Sequence, residues 1–243
     1  MSKPSDPASV LFFAAAFATG GYQEDVFNAG EGMPLKMTFF GHSSLMFTLG
    51  KTVIHVDPVE EYADYAKLPK ADLVVVTHEH FDHFSTAAIS MLRTPSTEVV
   101  LTAECASKLP GATVLRNGET KIVKGLRIEA IPAYNIVHMR SAGMPFHPKG
   151  SGNGYVFALG RLRVYVAGDT ENTPEMKALT NIDVAFLPMN LPYTMTPEMV
   201  ADAVTAFRPR ILYPYHTGNT DTSKLTALLA RTKDVEVRIR SLQ

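Results

Sequence analysis

The sequence predicts an α/β (α+β) fold in which two β-sheets are covered by helices within one domain. Three observations carry that expectation. Short runs rich in β-branched residues recur from about residue 34 onward. Hairpin-type turn signals separate several of them. Helical stretches arrive late in each half of the chain, where they can cover a sheet face. No internal repeat, low-complexity tract or linker divides the 243 residues, a length that can bury a substantial core. The expected division is an N-terminal segment, 1–33, and a single domain, 34–243.

The expected strands, in order, begin with Met37–Phe40, Leu45–Leu49, Thr52–Val56, Leu73–Val76 and Glu98–Leu101. Lys121–Val123, Leu126–Ile131, Tyr155–Leu159, Leu162–Val166, Val184–Leu187, Ile211–Tyr213 and Val235–Ile239 follow. "TLGKT" (Thr48–Thr52) and "ALGRL" (Ala158–Leu162) each place a glycine between two such runs, as a tight hairpin requires. Ser85 can cap a helix over Ser85–Leu92. Thr196, Pro197 and Glu198 supply an N-cap, a first-turn proline and a first-turn acid for Thr196–Phe207. A further helix is expected over Asp221–Arg231, with Leu225, Thr226, Leu228 and Leu229 as its apolar stripe.

Charge and cysteine content exclude several function classes. There are 23 basic and 24 acidic residues, a net charge of −1, and no Lys/Arg cluster of the kind that binds phosphate backbones or membrane surfaces. Nucleic acid is therefore not an expected partner. Cys105 is the only cysteine, so neither an intrachain disulfide nor a thiolate zinc cluster can form. It falls in a short helical stretch and reads as a buried structural thiol. The apolar run Val10–Ala18 has the length of a signal-peptide core and is too short to span a bilayer, so no integral membrane segment is expected. Its flanks carry Lys3, Pro4, Asp6 and Pro7, and two readings stay open: an export signal, implying a periplasmic or secreted protein, or an ordered N-terminal extension of a cytoplasmic one.

Residues His78–His83, "HEHFDH", hold three of the eight histidines together with an aspartate, directly after the valine run Leu73–Val76. On a helix, side chains two apart diverge by about 200°, whereas on extended backbone they share a face. The segment leaving a strand is non-helical, so His78, His80 and Asp82 converge and His83 reaches in from the turn. Imidazoles and a carboxylate so arranged are the ligand set of zinc and other first-row divalent ions, which outweighs the alternative of a polar loop with solvated histidines.

"THEHFDH" resembles the H-x-H-x-D-H signature of the metallo-β-lactamase superfamily. "VAGDT" (Val166–Thr170) is similar to its bridging-aspartate motif and "PYH" (Pro214–His216) to its late ligand histidine. "FFGHSSLMF" (Phe39–Phe47) and "HVDP" (His55–Pro58) further resemble a branch of small hydrolases similar to the ascorbate-phosphate lactonase and phospholipase-D-like members. The resemblance spans about Met37 to His216. It implies a four-layer αββα sandwich with two metals at the sheet edge, His78 and His80 on the first, Asp82, His83 and His216 on the second, and Asp169 bridging. Zinc is the implied ion, with Mn, Fe, Co or Ni compatible with the same donors. The first metal needs a third histidine. Asn135 stands in "PAYN" where related sequences carry one, leaving His138 and His147 as candidates. His147 is preferred because it precedes the strand leading to Asp169, whereas His138 lies in a Met- and Gly-containing loop facing solvent or substrate.

Among the other candidates, His42 approaches the metals from across the site or bonds a neighbouring loop, and His55 reads as a satisfied strand histidine. Asp57 is expected to accept an imidazole N–H and fix its tautomer. Phe146, Tyr155, Met189, Tyr193 and Met195 could line an apolar approach, although core packing competes at each.

The implied chemistry is hydrolysis by a metal-bridging hydroxide, with Asp169 stabilising the bridge and Asp82 handling a proton at the second metal. No covalent intermediate is expected, since Ser43, Ser44 and Ser85 lack any triad or G-x-S-x-G context. The Asp82-His83 pair argues against a true β-lactamase. A flavodiiron-type role would need a flavin domain, and Glu79 is out of phase for its carboxylate ligand. What remains is an ester, lactone or phosphodiester of a small molecule or lipid. A non-catalytic metal-binding or sensing module on the same fold is the alternative, and a structural protein with solvated histidines a third.

Overall fold

In the computed structural model, residues 21–242 are described; Val10–Ala18, the segment of the export question, lies outside them. The first sheet holds seven strands: β1 (Gln23–Asn28), β2 (Pro34–Gly41), β3 (Ser44–Leu49), β4 (Thr52–Val56), β5 (Leu73–Val75), β6 (Glu98–Leu101) and β7 (Thr113–Val114). They are hydrogen-bonded in chain order, antiparallel through β4 and parallel from β4 to β7. The chain then crosses to β8 (Thr120–Val123) and β9 (Leu126–Ala133). The small hairpin β10 (Met139–Ser141) and β11 (Met144–Pro145) stands apart. The second sheet is completed by β12 (Gly152–Leu159), β13 (Leu162–Val166), β14 (Val184–Pro188), β15 (Ile211–Tyr215) and β16 (Glu236–Val237). Its order is β16-β15-β14-β13-β12-β9-β8.

Three apolar layers separate four structural ones. Phe39, Phe47, Val75, Phe157, Phe186 and Tyr213 fill the space between the sheets. Val74 and Val76, with the opposite phase of the same strand run, pack on α1 (Thr86–Leu92) and α2 (Ala103–Ala106) through Ile89, Leu92 and Cys105. The outer face of the second sheet is covered by α3 (Pro174–Lys177), α4 (Pro197–Phe207) and α5 (Thr222–Leu229) through Met176, Val204, Phe207 and Leu225. A strand covered on both faces must be apolar at every position, which is why Leu73–Val76 reads as a continuous run. This is the expected αββα sandwich.

The caps act where the sequence put them. The Ser85 hydroxyl accepts from the Ala88 N–H, and the Thr196 hydroxyl accepts from Met199 ahead of Pro197. Both predicted hairpins form, with Leu49 opposite Thr52 and Leu159 opposite Leu162. At Gly160 (φ +62) a Cβ would stand 2.2 Å from the Ala29 carbonyl oxygen, so only glycine fits. The α5 stripe is narrower than expected: Leu225 and Leu229 are buried, but Leu228 is 47% exposed and Thr226 also faces solvent. No helix of the described residues is long and apolar enough to cross a membrane.

The strand pattern also starts earlier than expected, at β1. Its acids are buried: Glu24 accepts from Thr38 and pairs with Lys36 at 2.9 Å, while Asp25 is bonded by Tyr213 and pairs with Arg240 at 2.7 Å and Arg238 at 3.4 Å. β1 is thereby tied to the C-terminal end of the chain.

His55 is fully buried on β4, its Nε2 donating to the Pro69 carbonyl (3.1 Å) while Nδ1 has no hydrogen-bond partner among the described residues. Burial disfavours the imidazolium and pushes its pKa down from 6.5 to about 4. Between those values the unfolded chain binds a proton that the folded chain refuses. Stability is therefore complete above pH 6.5, falls as the pH drops through this window, and loses ~3 kcal/mol from this group by pH 4. His55→Gln should flatten the acid limb by about one proton, read from urea unfolding at successive pH values. Parallel limbs would contradict this.

Candidate metal centre

Five segments build the site, two leaving strands of the first sheet, after β2 and β5, and three beside the second, before β12 and after β13 and β15. After β5 the backbone runs through Thr77 into His78–His83, which closes as a turn on the His80 carbonyl, accepting from His83 N (3.0 Å) and Phe84 N (2.9 Å). His78 and His80 share a face, as extended backbone requires, with His78 Nε2 3.1 Å from His80 Nδ1. Asp169 follows β13 in the Gly-Asp-Thr turn. Gly168 takes φ +64 there and passes within 2.9 Å of the Asn153 carbonyl and of Thr77, measured from a hypothetical Cβ, so the carboxylate is aimed inward by a turn that a larger residue would spoil. His216 leaves β15 at φ +47 and His42 leaves β2 at φ +51, their backbones joined by the bond from His216 N to the His42 carbonyl (3.1 Å). Left-handed backbone costs such residues on the order of 1 kcal/mol each, a strain typical of functional turns.

These side chains form three overlapping groups whose ligand atoms lie within 4.8 Å of one another: His78, His80 and His147; His42, Asp82, His83 and His216; and His78, His83 and Asp169. The Asp169 carboxylate joins them. One oxygen lies 3.3 Å from His83 Nε2, and the other lies 3.3 Å from both His147 Nε2 and His216 Nε2. Asp82 Oδ2 stands 3.1 Å from His42 Nε2 and 3.6 Å from His216 Nε2.

The outer nitrogens of two imidazoles are fixed by buried acceptors. Asp57, fully buried, takes the Thr77 N–H and hydroxyl (both 2.7 Å) and holds His83 Nδ1 at 2.8 Å. Asn135 Oδ1 holds His147 Nδ1 at 2.7 Å and accepts the His147 N–H at 2.8 Å. Each leaves the inner Nε2 bare and directed at Asp169, the tautomer a metal ligand needs. His83 Nε2, both His216 nitrogens and Asp169 Oδ1 are buried without a hydrogen-bond partner among the described residues. Buried polar atoms are normally satisfied. Three of these four, His83 Nε2, His216 Nε2 and Asp169 Oδ1, meet at the Asp169 carboxylate, and imidazole nitrogens beside a carboxylate oxygen fit a cation.

The electrostatics agree with that fit. Burial holds the His78 pKa well below its usual value, reinforced by His83. Burial would raise Asp169, but His216 and His83 outweigh it and hold the carboxyl well below the usual range. Asp82 is likewise driven far down, burial being outweighed by bonds from His216 and His42. Burial would lower His83, yet Asp169 and Asp57 raise it well above 6.5. A proton there answers two carboxylates, and a metal ion competes for the same place.

His138 stays out of these groups. Its Nδ1 lies 2.7 Å from Glu171 Oε1, on the far side of the loop that carries it. We expect His147→Ala to weaken metal binding on the His78/His80 side by more than ~100-fold and His138→Ala to change it only a few-fold, measured by chelator competition. The opposite ranking would show the ligand to be His138. Of the apolar candidates, Phe146 and Tyr193 line the cleft above the site, their rings 5.1 Å apart and edge to face. Tyr155, Met189 and Met195 do not reach it: all three are fully buried in core layers.

Two residues escaped the sequence reading. Glu171 is fully buried and accepts from three successive backbone N–H groups, Ile136 (2.6 Å), Val137 (2.7 Å) and His138 (2.7 Å), and from the Asn135 amide (3.1 Å). Asn135 was noted only as the place of a missing histidine. It instead holds the histidine that arrives from twelve residues later. The spacing Asp169-x-Glu171 was the only available signal, and main-chain partners leave no trace in sequence.

Histidines and carboxylates converging at one end of an αββα sandwich make a candidate metal centre of the kind metal-dependent hydrolases use. Residues 36–216 match the model of the Beta-lactamase superfamily domain, and the chain belongs to that superfamily, among its metal-dependent hydrolases. It is 32% identical over 196 residues to a metal-dependent hydrolase of Thermococcus onnurineus, covering 75% of this chain and 84% of the relative. A crystal structure assigned to a metal-dependent hydrolase of Parabacteroides distasonis shares 46% identity at a TM-score of 0.87, over 91% of this chain and all of that one. A metallo hydrolase of the archaeon Ignicoccus hospitalis is 27% identical at a TM-score of 0.69, over 86% and 96% of the two chains.

Proposed function

We propose that the chain hydrolyses an ester, lactone or phosphodiester of a small molecule or lipid at a dinuclear centre. His78, His80 and His147 hold one ion, Asp82, His83 and His216 the other, and Asp169 spans both. The observation that carries this reading is the Asp169 carboxylate, which meets an inner Nε2 from each side at 3.3 Å. Two divalent ions, most simply zinc, would acidify a water toward neutral pH and polarise a carbonyl or phosphoryl oxygen of the substrate.

The protein's part is orientation and proton handling. Asp57 and Asn135 hold the outer Nδ1 of His83 and of His147, which aims the inner Nε2 of each toward the centre. Asp82, half-buried at the cleft and ionised, can receive a proton at Oδ2 and share it with His42 at 3.1 Å. The serines and the cysteine are otherwise engaged: Ser43 donates to the Asp82 carbonyl (3.5 Å), Ser44 to the Asp57 carbonyl (2.6 Å), Ser85 caps α1, and burial raises the Cys105 thiol to about 11.

The test is metal analysis of the purified protein followed by turnover of 4-nitrophenyl esters and bis-p-nitrophenyl phosphate. We expect bound metal, turnover of at least one class, loss of it with chelator and recovery on adding metal back. Fully metallated protein inert toward both classes would refute the reading.

A further inference from the structure

The proposed hydrolase site opens into a cleft of about 710 Å³, and the cleft's walls say what kind of molecule enters it. Twelve large apolar side chains are exposed among the described residues; seven lie on the three segments that supply the cleft's lining, and two of the seven, Phe81 and Tyr193, line it themselves. Phe81, 83% exposed, sits between the ligand residues His80 and Asp82. Four more come from residues 136–144, and Leu191 and Tyr193 complete the set. Scattered exposed hydrophobics need no explanation, whereas a concentration around a single cleft marks a binding surface.

The cleft also contains one arginine, Arg140, on β10. It makes no ion pair among the described residues, and its guanidinium lies 5.9 Å from the Phe146 ring. Of the acids lining the same cleft, Asp82 and Asp169 face imidazoles, and Glu79 lies beside another carboxylate, Glu104, whose pKa its proximity raises. A guanidinium held on an aromatic face with no counter-ion is a fork for a carboxylate or phosphate.

This wall is mechanically part of the metal centre. Asn135 and His147 pinch the base of the loop that carries the hairpin, through Asn135 N to the His147 carbonyl (2.9 Å) and the two bonds to Asn135 Oδ1, and Glu171 pins residues 136–138. Arg140 and Phe146 therefore keep a set position relative to the His147 imidazole.

Resting on the hydrolase reading, we infer that the substrate is an anionic amphiphile: its apolar chain lies against Phe81, Phe146 and Tyr193, and its acidic group is paired by Arg140. The same chemistry is offered by a fatty-acid-derived ester bearing a carboxylate and by a lipid phosphodiester.

The probes are octyl phosphate, ethyl phosphate and octanoate, titrated calorimetrically into the metal-loaded protein. Octyl phosphate should bind on the order of 100-fold tighter than ethyl phosphate, equivalent to three or four buried methylenes at about fourfold each. Arg140→Gln should weaken octyl phosphate about 10-fold while leaving the binding of neutral 1-octanol unchanged. Tyr193→Ser and Phe81→Ser should shrink the chain-length effect and leave ethyl phosphate unaffected. A preference for octyl phosphate over octanoate points to the phosphodiester source, and the reverse to the carboxylate source. Equal binding of the two alkyl phosphates, or no effect of Arg140→Gln, overturns the inference. Because these are binding measurements, a protein inert toward esters that still shows both effects would sink the hydrolytic reading and keep this one.

Discussion

Asp169→Ala is expected to release one or both metal ions and to abolish hydrolysis. Among the described residues the carboxylate is the only group placed within 3.3 Å of imidazoles from both sides of the centre, and it is buried. Its loss removes the negative charge that would balance the proposed pair of cations and leaves His83, His147 and His216 facing one another. Asp169→Asn keeps the shape and removes the charge, so it separates packing from electrostatics: it should fold as the parent does and still bind metal weakly. Metal content by elemental analysis, read beside turnover, is the measurement. An alanine variant with full metal content and full rate would remove Asp169 from the centre.

Glu171→Ala is the second large effect. No Lys or Arg among the described residues pairs with this buried carboxylate; main-chain N–H groups and an amide hold it, with the His138 ring facing it at 2.7 Å. Removing the acceptor strands three backbone donors at about 1 kcal/mol or more each, so a loss on the order of 3 kcal/mol in folding stability is expected. Because Glu171 also holds Asn135, and Asn135 fixes the His147 tautomer, metal affinity on the His147 side should fall by roughly 10–100-fold, the usual consequence of losing an outer partner. Glu171→Gln retains one acceptor oxygen and should lie between. Urea unfolding and chelator competition read the two effects separately. A variant that loses stability with unchanged metal affinity would show that Asn135 needs no support.

The part of the site written in consecutive residues was the most legible. A valine run forces a strand, a strand forces extended exit backbone, and that backbone brings His78 and His80 to one side, whereas the expected convergence of Asp82 with them fails: the turn on the His80 carbonyl carries Asp82 to His42, His83 and His216 instead. Asp169 and His216 were found by resemblance of short motifs, since a lone Asp or His at a strand end carries no signal of its own. His42 was left undecided because its position depends on a left-handed turn and on the backbone of His216, 174 residues later. The β1 strand was missed for an electrostatic reason: Glu24 and Asp25 break the expected alternation, yet both are buried by partners that sequence does not reveal, Lys36 and Thr38 for one, Tyr213, Arg238 and Arg240 for the other. The β10–β11 hairpin is short and exposed, and periodicity has nothing to register in so few residues.

That attachment of β1 sets a limit on trimming. A polypeptide started at Pro34 would strip Arg240 of its carboxylate and uncover the free hydrogen-bonding rim of β2, inviting edge-to-edge association between molecules. Proteolytic shortening that leaves the enzyme monodisperse therefore has to stop ahead of Gln23.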